Sequence, residues 1–269
     1  MDADARIILP GAAGLVGQNL ILLLKERGCR NLVAIDKHPR NTARLRALHP
    51  EIEVVEADLA APGPWERAFA GGDVVVMLQA HIGDLDPEPF ERNNVTSTAR
   101  VLDAMGGHGV PYVVHVSSSV VASVADDDYT RTKRRQEELV LDSGLGCCVL
   151  RPTLMFGWFD RKHLGWLSRF MRRAPVFPIP GHGRYPRQPL YVMDFCRIVL
   201  GAMARRAEGV YNITGREHVD YVDMIRTIRD VLGSRTRIVH IPYGLFRALL
   251  QIYALVDRQR DFDRRPVLA

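Results

Sequence analysis

Cysteine is scarce in this 269-residue chain: Cys29, Cys147, Cys148 and Cys196 are the full set, with no spacing that suits a metal centre. Adjacent Cys147 and Cys148 sit in an apolar run and read as buried thiols, which fits a reducing compartment better than a disulfide scaffold. No apolar run reaches membrane-spanning length, and the opening Met-Asp-Ala-Asp-Ala lacks the charged-then-apolar pattern of a secretion signal. A cytoplasmic protein without a membrane partner is therefore expected. A dominant charge is missing too: 36 Lys and Arg stand against 31 Asp and Glu, for a net charge of +5. The basic clusters Lys133-Arg134-Arg135, Arg172-Arg173, Arg205-Arg206 and the tail from Arg258 to Arg265 come without a nucleic-acid recognition motif. They read as solvated helix faces and ends, with a positive field that suits an anionic substrate. Repeats and low-complexity segments are also lacking.

What is present is a strand–turn–helix–strand unit over Arg6 to Asp36. Ile7, Ile8 and Leu9 form the short apolar run of a strand buried on both faces. In Gly11-Ala-Ala-Gly14-Leu-Val-Gly17, the first glycine allows a tight turn, the second leaves room for a pyrophosphate, and the third lets the next helix pack closely. The helix N-terminus then presents unpaired N–H groups to the phosphates. Asp36, 19 residues beyond Gly17, can accept both ribose hydroxyls and would repel a 2′-phosphate. NAD is favoured over NADP, although Lys37, His38 and Arg40 weaken that preference.

Strand and helix then alternate without a break. A polar helix over Thr42 to Leu48 precedes a strand from Glu53 to Glu56 and Asp58, which either meets the adenine amino group or is a helix N-cap before Pro64-Trp65-Glu66. Asp73 to Leu78 is a strand ending in Gln79-Ala80, where small Ala80 lets backbone lie against a cofactor. A helix spans Pro89 to Met105, and a strand from Tyr112 to Val116 runs into Ser117-Ser118-Ser119. This alternation implies an α/β fold, a doubly wound parallel sheet with its crevice at the strand carboxyl ends. Beyond it, Cys147 to Arg151 is a sixth strand and Phe159 to Gly183 reads as irregular, substrate-facing structure. Helices are expected at Asp194 to Arg206 and Tyr221 to Leu232, strands at Val210 to Ile213 and Arg237 to Ile241, and an apolar segment at Tyr243 to Val256 that packs in a small C-terminal region.

Tyr129-Thr-Arg-Thr-Lys133 opens a helix running to about Ser143, and its four-residue spacing puts phenol and amine on one face. A phenol with a pKa near ~10 is a poor base at neutral pH, but an adjacent ammonium and a nicotinamide cation both favour phenolate. Tyr129 can then exchange a proton with a carbinol or carbonyl oxygen during hydride transfer. Lys133 would hold the ribose hydroxyls and lower the tyrosine's pKa, and a serine at the preceding strand end would bond the same oxygen.

With these residues the chain resembles the extended short-chain dehydrogenase/reductase family, in particular its NAD-dependent epimerase/dehydratase branch acting on nucleotide sugars. The resemblance also rests on Asn94-Val95, Arg151-Pro152-Thr-Leu-Met-Phe-Gly157, Gln188-Pro189-Leu190-Tyr191-Val192-x-Asp194 and Val210-Tyr211-Asn212-Ile213. It implies a Rossmann domain over 1–157 with a returning segment at about 188–213. A small α+β substrate-binding region would take 158–187 and 214–269. It implies catalytic roles for Ser118, Tyr129 and Lys133, with Ser117 and Ser119 left open as one-residue slips. NAD binding would fall to Gly11, Gly14, Leu15, Val16, Gly17, Asp36, Lys37, Asp58, Leu59, Gln79, Ala80, Asn94, Lys133 and Pro152. Ser119 and Arg187 would meet the substrate, the latter on a diphosphate or, equally, facing solvent. Members commonly dimerise through the helices here placed at Pro89 to Met105 and Tyr129 to Ser143. No metal is implied.

Three departures bear on the reaction. Tyr129 follows Ser118 by only 11 positions, and Val121-Ala122-Ser123 stands where nucleotide-sugar members carry a longer loop with Tyr-Gly, so the pocket is reshaped or more open. Ser119-Val120 replaces the Asp-Glu pair of sugar 4,6-dehydratases, leaving elimination without its proton carriers. Leu154 stands where many uridine-sugar members have Asn. The expected activity is epimerisation of a nucleotide sugar through a transient keto sugar. The alternatives are a reductase or dehydrogenase of a smaller carbonyl or alcohol, and a non-catalytic assembly subunit that keeps the dinucleotide.

Overall fold

In a computed structural model of the chain, residues 3–248 are described. The first part alternates β1 (Ile7–Pro10), α1 (Leu15–Glu26), β2 (Leu32–Asp36), α2 (Pro39–Leu48), β3 (Glu53–Glu56), β4 (Val74–Met77), α3 (Pro87–Phe90), α4 (Ser97–His108), β5 (Tyr112–Val116), α5 (Asp128–Leu141) and β6 (Gly146–Pro152). There follow β7 (Met155–Phe156), α6 (Leu164–Met171), β8 (Val176–Pro180), β9 (Pro186–Arg187), β10 (Leu190–Tyr191), α7 (Val192–Arg205), β11 (Gly209–Ile213), β12 (Val219–Asp220), α8 (Tyr221–Val231) and β13 (Arg237–Ile241).

Seven strands form one sheet in the order β11-β6-β5-β4-β1-β2-β3, with every neighbouring pair parallel. The chain winds outward from β1 through β2 to β3, then restarts at β4 on the other side of β1. That reversal leaves a crevice beyond the carboxyl ends of β1 and β4. Continuous apolar strands explain the arrangement: Ile7, Ile8, Leu9, Val33, Ala34, Ile35, Val75, Val76 and Met77 are all fully buried, as a sheet covered on both faces requires. Each such aliphatic side chain contributes roughly 1.5–3 kcal/mol of burial free energy. The fold is the expected doubly wound Rossmann type.

Two compact units are formed, one of 1–153 with 191–213, the other of 154–190 with 214–269. In the second, β8 and β13 pair in parallel, and β9 pairs antiparallel with β12. Its own core gathers Met171, Phe177, Ile179, Val222, Met224 and Ile225.

Two expectations change. The segment from Phe159 to Gly183 is not irregular throughout, since it contains α6 and β8. Leu164, Leu167 and Met171 recur on one helical face, a short period masked in the sequence by the surrounding Arg, Pro and Gly. The helix expected over Pro89 to Met105 is interrupted by a π-turn at Glu91–Thr96. Most of Tyr243 to Val256, and the Arg258 to Arg265 tail, lie outside the described residues. Among the described residues no helix is long and apolar enough to cross a membrane, and no grouping of His, Cys, Asp and Glu could hold a metal ion. All four cysteines are free thiols, with Cys29, Cys148 and Cys196 buried.

Candidate active site

The turn after β1 is shaped by close approach. Gly11 has φ +82°, and a Cβ there would lie 2.5 Å from the Gln79 nitrogen beyond β4, so the two strand ends meet as only glycine permits. A Cβ on Gly17 would fall 2.3 Å from the Ala12 carbonyl oxygen, which locks α1 against the turn. Gly14 differs: its nearest neighbour would be the Gly11 carbonyl oxygen at 3.4 Å, so the protein itself leaves room for a side chain that is not there. The first turn of α1, with Leu15, Val16 and Gly17, has no side-chain cap and no acidic residue, leaving its N–H groups and positive end for an anion.

Asp36, at the end of β2, accepts the Ala13 N–H at 3.1 Å through Oδ2 and the His38 N–H at 3.1 Å through Oδ1. A carboxylate has four acceptor positions, so lone pairs remain for ribose hydroxyls. Lys37 is exposed and bonds Asn93 Oδ1. Asp58 does not cap the helix at Pro64–Phe69, whose N-cap is Gly63; its Oδ1 closes a local turn by accepting the Ala60 N–H at 3.0 Å, while Oδ2 accepts from Arg92 at 2.7 Å. Its pKa is lowered: Arg92, the Ala60 amide and the Lys37 charge together outweigh desolvation by burial. Leu59 packs into the core, so only its backbone can face a ligand. Beyond β4, both polar atoms of the Gln79 amide are buried without a hydrogen-bond partner among the described residues, beside exposed Ala80. An unpartnered amide at this strand end, next to a glycine cradle and an uncapped helix, fits a dinucleotide.

Across the crevice, Ser118 lies two residues beyond β5 and Tyr129 stands in the first turn of α5. Of the three serines, Ser118 is the one whose hydroxyl acts on the Tyr129 phenol, which selects it over its neighbours as the tyrosine's companion. Ser117 is buried with no partner for its Oγ among the described residues, and Ser119 begins a short 3-10 turn. Burial pushes the Tyr129 phenol up, and the Ser118 hydroxyl opposes this. Lys133 is fully buried; its Nζ donates to the Val116 carbonyl oxygen at 3.1 Å and to Gln136 Oε1 at 2.5 Å. Desolvation brings its pKa down to about 7, against the pull of Glu137. The lowering of the tyrosine expected from Lys133 is thus absent here, because the amine faces the strand and Gln136 while Ser118 faces the phenol.

Asn94 sits in the π-turn, fully buried. Its Oδ1 accepts the His81 N–H at 2.6 Å, and its Nδ2 donates to the His81 carbonyl at 3.3 Å and to Thr132 Oγ1 at 3.0 Å. It braces the end of β4 against α5, so that its amide reaches a cofactor only through the backbone it holds. Pro152 ends β6, buried beside Ile213 of β11. In the second unit Arg187 lies on β9 opposite Val219, and its charge acts on Tyr221.

Sequence reasoning missed Gln136, whose Nε2 donates to Thr98 Oγ1 at 2.7 Å and to the Gln79 carbonyl at 3.4 Å while its Oε1 holds Lys133. The signal was a glutamine three residues after the lysine, on the same face of the helix. Thr98 and Thr132 were missed for the same reason: a lone polar residue on an apolar helix face gains meaning only when its partner is known.

The model of the NAD dependent epimerase/dehydratase family matches residues 7–214. The chain belongs to that family. Among its relatives, the ceramide reductase of Caulobacter vibrioides is 24% identical over 275 residues, covering 99% of this chain and 82% of that one. The dTDP-glucose 4,6-dehydratase of Streptomyces griseus is 30% identical over 261 residues, covering 85% and 79%. Among solved structures, the NAD complex of a UDP-glucuronic acid 4-epimerase from Bacillus cereus superposes with a TM-score of 0.79 at 22% identity, covering 88% and 87%. NAD is the family's cofactor, and the glycine turn, Asp36 and the Gln79 strand end are the residues here that fit it.

Proposed function

We propose that this chain is an enzyme exchanging a hydride at a carbinol carbon, with Tyr129 taking and returning the hydroxyl proton, and that its substrate is a nucleotide sugar epimerised through a keto form. The observation that carries the chemistry is the meeting of Tyr129 on α5 with Ser118, whose hydroxyl acts on the phenol, one helical turn from a fully buried Lys133. NAD, when bound, accepts and returns the hydride. Ser118 can turn its hydroxyl from the phenol to the substrate oxygen and fix that oxygen within reach of Tyr129. Lys133, held by Gln136 and the Val116 carbonyl, is the amine that would hold the ribose hydroxyls of bound NAD. Epimerisation needs no further acid or base: the oxidised sugar turns over and Tyr129 returns its proton as the other face is reduced. Elimination of water would need one, and Ser119-Val120 offers none. Arg187 as a diphosphate ligand, dimerisation through α4 and α5, and cytoplasmic residence belong to the same reading.

Mass spectrometry of ligands released from the purified protein, followed by a panel of nucleotide sugars scored for isomerised product, tests it. Tyr129→Phe should abolish turnover while leaving bound NAD; unchanged turnover would sink the mechanism.

A net reductase of a less polar carbonyl is the second reading. It is favoured by a match to a ceramide reductase that runs through 99% of the chain, and by the 11-position interval between Ser118 and Tyr129. Steady change in nicotinamide absorbance during turnover marks this reading, and its absence marks the epimerase.

A further inference from the structure

Two basic stretches more than sixty positions apart converge at one end of the second unit. Arg172 and Arg173 follow α6, while Arg235 and Arg237 lead into β13, and Arg237 lies in register with Val176 of β8. The loops are stapled together: Thr236 Oγ1 lies 2.6 and 2.7 Å from the Met171 and Ala174 carbonyl oxygens and gives its one proton to either, and Ser234 Oγ donates to the Met171 carbonyl at 2.6 Å. The arginines therefore stand on a fixed base around a cleft of about 520 Å3 lined by no carboxylate. Among the described residues none of the four guanidiniums forms an ion pair with an acid. All four are exposed, and exposed Val176 lies among them, with Val231, 81% exposed, closing α8 just before the second loop.

We propose that this face docks on the anionic headgroups of a phospholipid surface. Four exposed guanidiniums on a stapled backbone, without internal counter-charges, complement phosphate, and valines beside them suit the boundary between headgroups and acyl chains. A pocket for a soluble anion would enclose its ligand, as small-molecule sites bury most of theirs, whereas here every arginine lies open to solvent. This inference does not depend on the reaction assigned to the first unit.

The test is co-sedimentation of the full chain with vesicles of phosphatidylcholine, alone or doped with phosphatidylglycerol. Partitioning should be at least about tenfold stronger on the anionic vesicles and should vanish at high salt. Charge reversal in the double variant Arg172→Glu/Arg235→Glu should remove it with thermal melting unchanged, and Arg172→Gln/Arg235→Gln serves if the reversal does not fold. No preference for anionic vesicles would overturn the proposal. So would binding that survives both double variants but is lost when Arg258, Arg260, Arg264 and Arg265 are changed to Gln. Arginine-dependent, one-to-one binding of inorganic pyrophosphate by calorimetry, without vesicle binding, would replace the surface with a soluble anion site.

Discussion

Lys133 Nζ donates to the Val116 carbonyl oxygen at 3.1 Å, latching the helix that carries the tyrosine to the strand that carries the serine. Its second acceptor, Gln136 Oε1, is itself tied to Thr98 and to the Gln79 carbonyl, so one glutamine sets the height of the lysine against three elements. Gln136→Ala removes that tie, leaving the Lys133 amine short of an acceptor and the Thr98 hydroxyl and Gln79 carbonyl short of a donor, at a cost of roughly 1–3 kcal/mol. We expect kcat to fall about tenfold or more, with a smaller change in KM. Gln136→Glu should move the alkaline side of the pH–rate profile upward by placing a carboxylate on the amine. Unaltered kcat in Gln136→Ala would remove the glutamine from the machinery.

Lys133 also makes the free protein pH-dependent. Its pKa is about 7 when folded, against an ordinary value of 10.5. Between those values the unfolded chain holds a proton that the folded chain does not, so this residue's contribution to stability rises with pH across the window and falls as pH drops toward 7. Lys133→Met should abolish turnover yet melt higher than the parent near pH 7, by an amount on the order of a few kcal/mol, with the advantage shrinking toward pH 10. Thermal melts of the NAD-free pair across that range decide it; parallel curves would show that burial does not tax the amine.

The fold was legible because a two-sided parallel sheet writes itself as short apolar runs separated by helices, and Ile7–Leu9, Leu32–Ile35 and Val74–Met77 are such runs. The Gly11 turn was legible as well, since a left-handed φ and a close approach to Gln79 leave no choice but glycine. What was hidden depends on pairing at a distance. Nothing local to Asn94 announces a π-turn that aims its amide at His81 and Thr132. Nor does Arg172 announce Arg235, because their meeting is fixed by the β8–β13 register. The period of α6 was diluted by Arg169 and two aromatics over only 8 residues.

His115 is another residue whose cost only the structure reveals. It is fully buried on β5, neither ring nitrogen has a hydrogen-bond partner among the described residues, and desolvation together with the Lys133 charge holds its pKa well below 6.5. The folded chain keeps it neutral while the unfolded chain protonates, so stability is lost as pH falls below 6.5. His115→Leu replaces two unpartnered nitrogens with apolar surface of similar size. Stability should rise by roughly 1 kcal/mol or more at neutral pH, with a larger gain in acid. Chemical denaturation at neutral and acid pH measures this, and destabilisation at both would mean that the ring is held by interactions stronger than packing.

Gly14 and Gly17 separate folding from cofactor binding within one turn. A Cβ on Gly17 would lie 2.3 Å from the Ala12 carbonyl, inside the protein's own packing, whereas one on Gly14 would meet only the Gly11 carbonyl, at 3.4 Å. Gly17→Ala must therefore push α1 from the sheet, and we expect a loss of several kcal/mol in the NAD-free protein, in line with other overpacked positions. Gly14→Ala has a negative φ of −79° and room on the protein side, so the free protein should melt within about 1 kcal/mol of the parent. Its penalty should appear only when a pyrophosphate has to approach the same backbone, as an NAD affinity weaker by about tenfold or more. Melting curves with and without NAD distinguish the two glycines: if Gly14→Ala binds the dinucleotide as tightly as the parent, the phosphates do not pass over this turn.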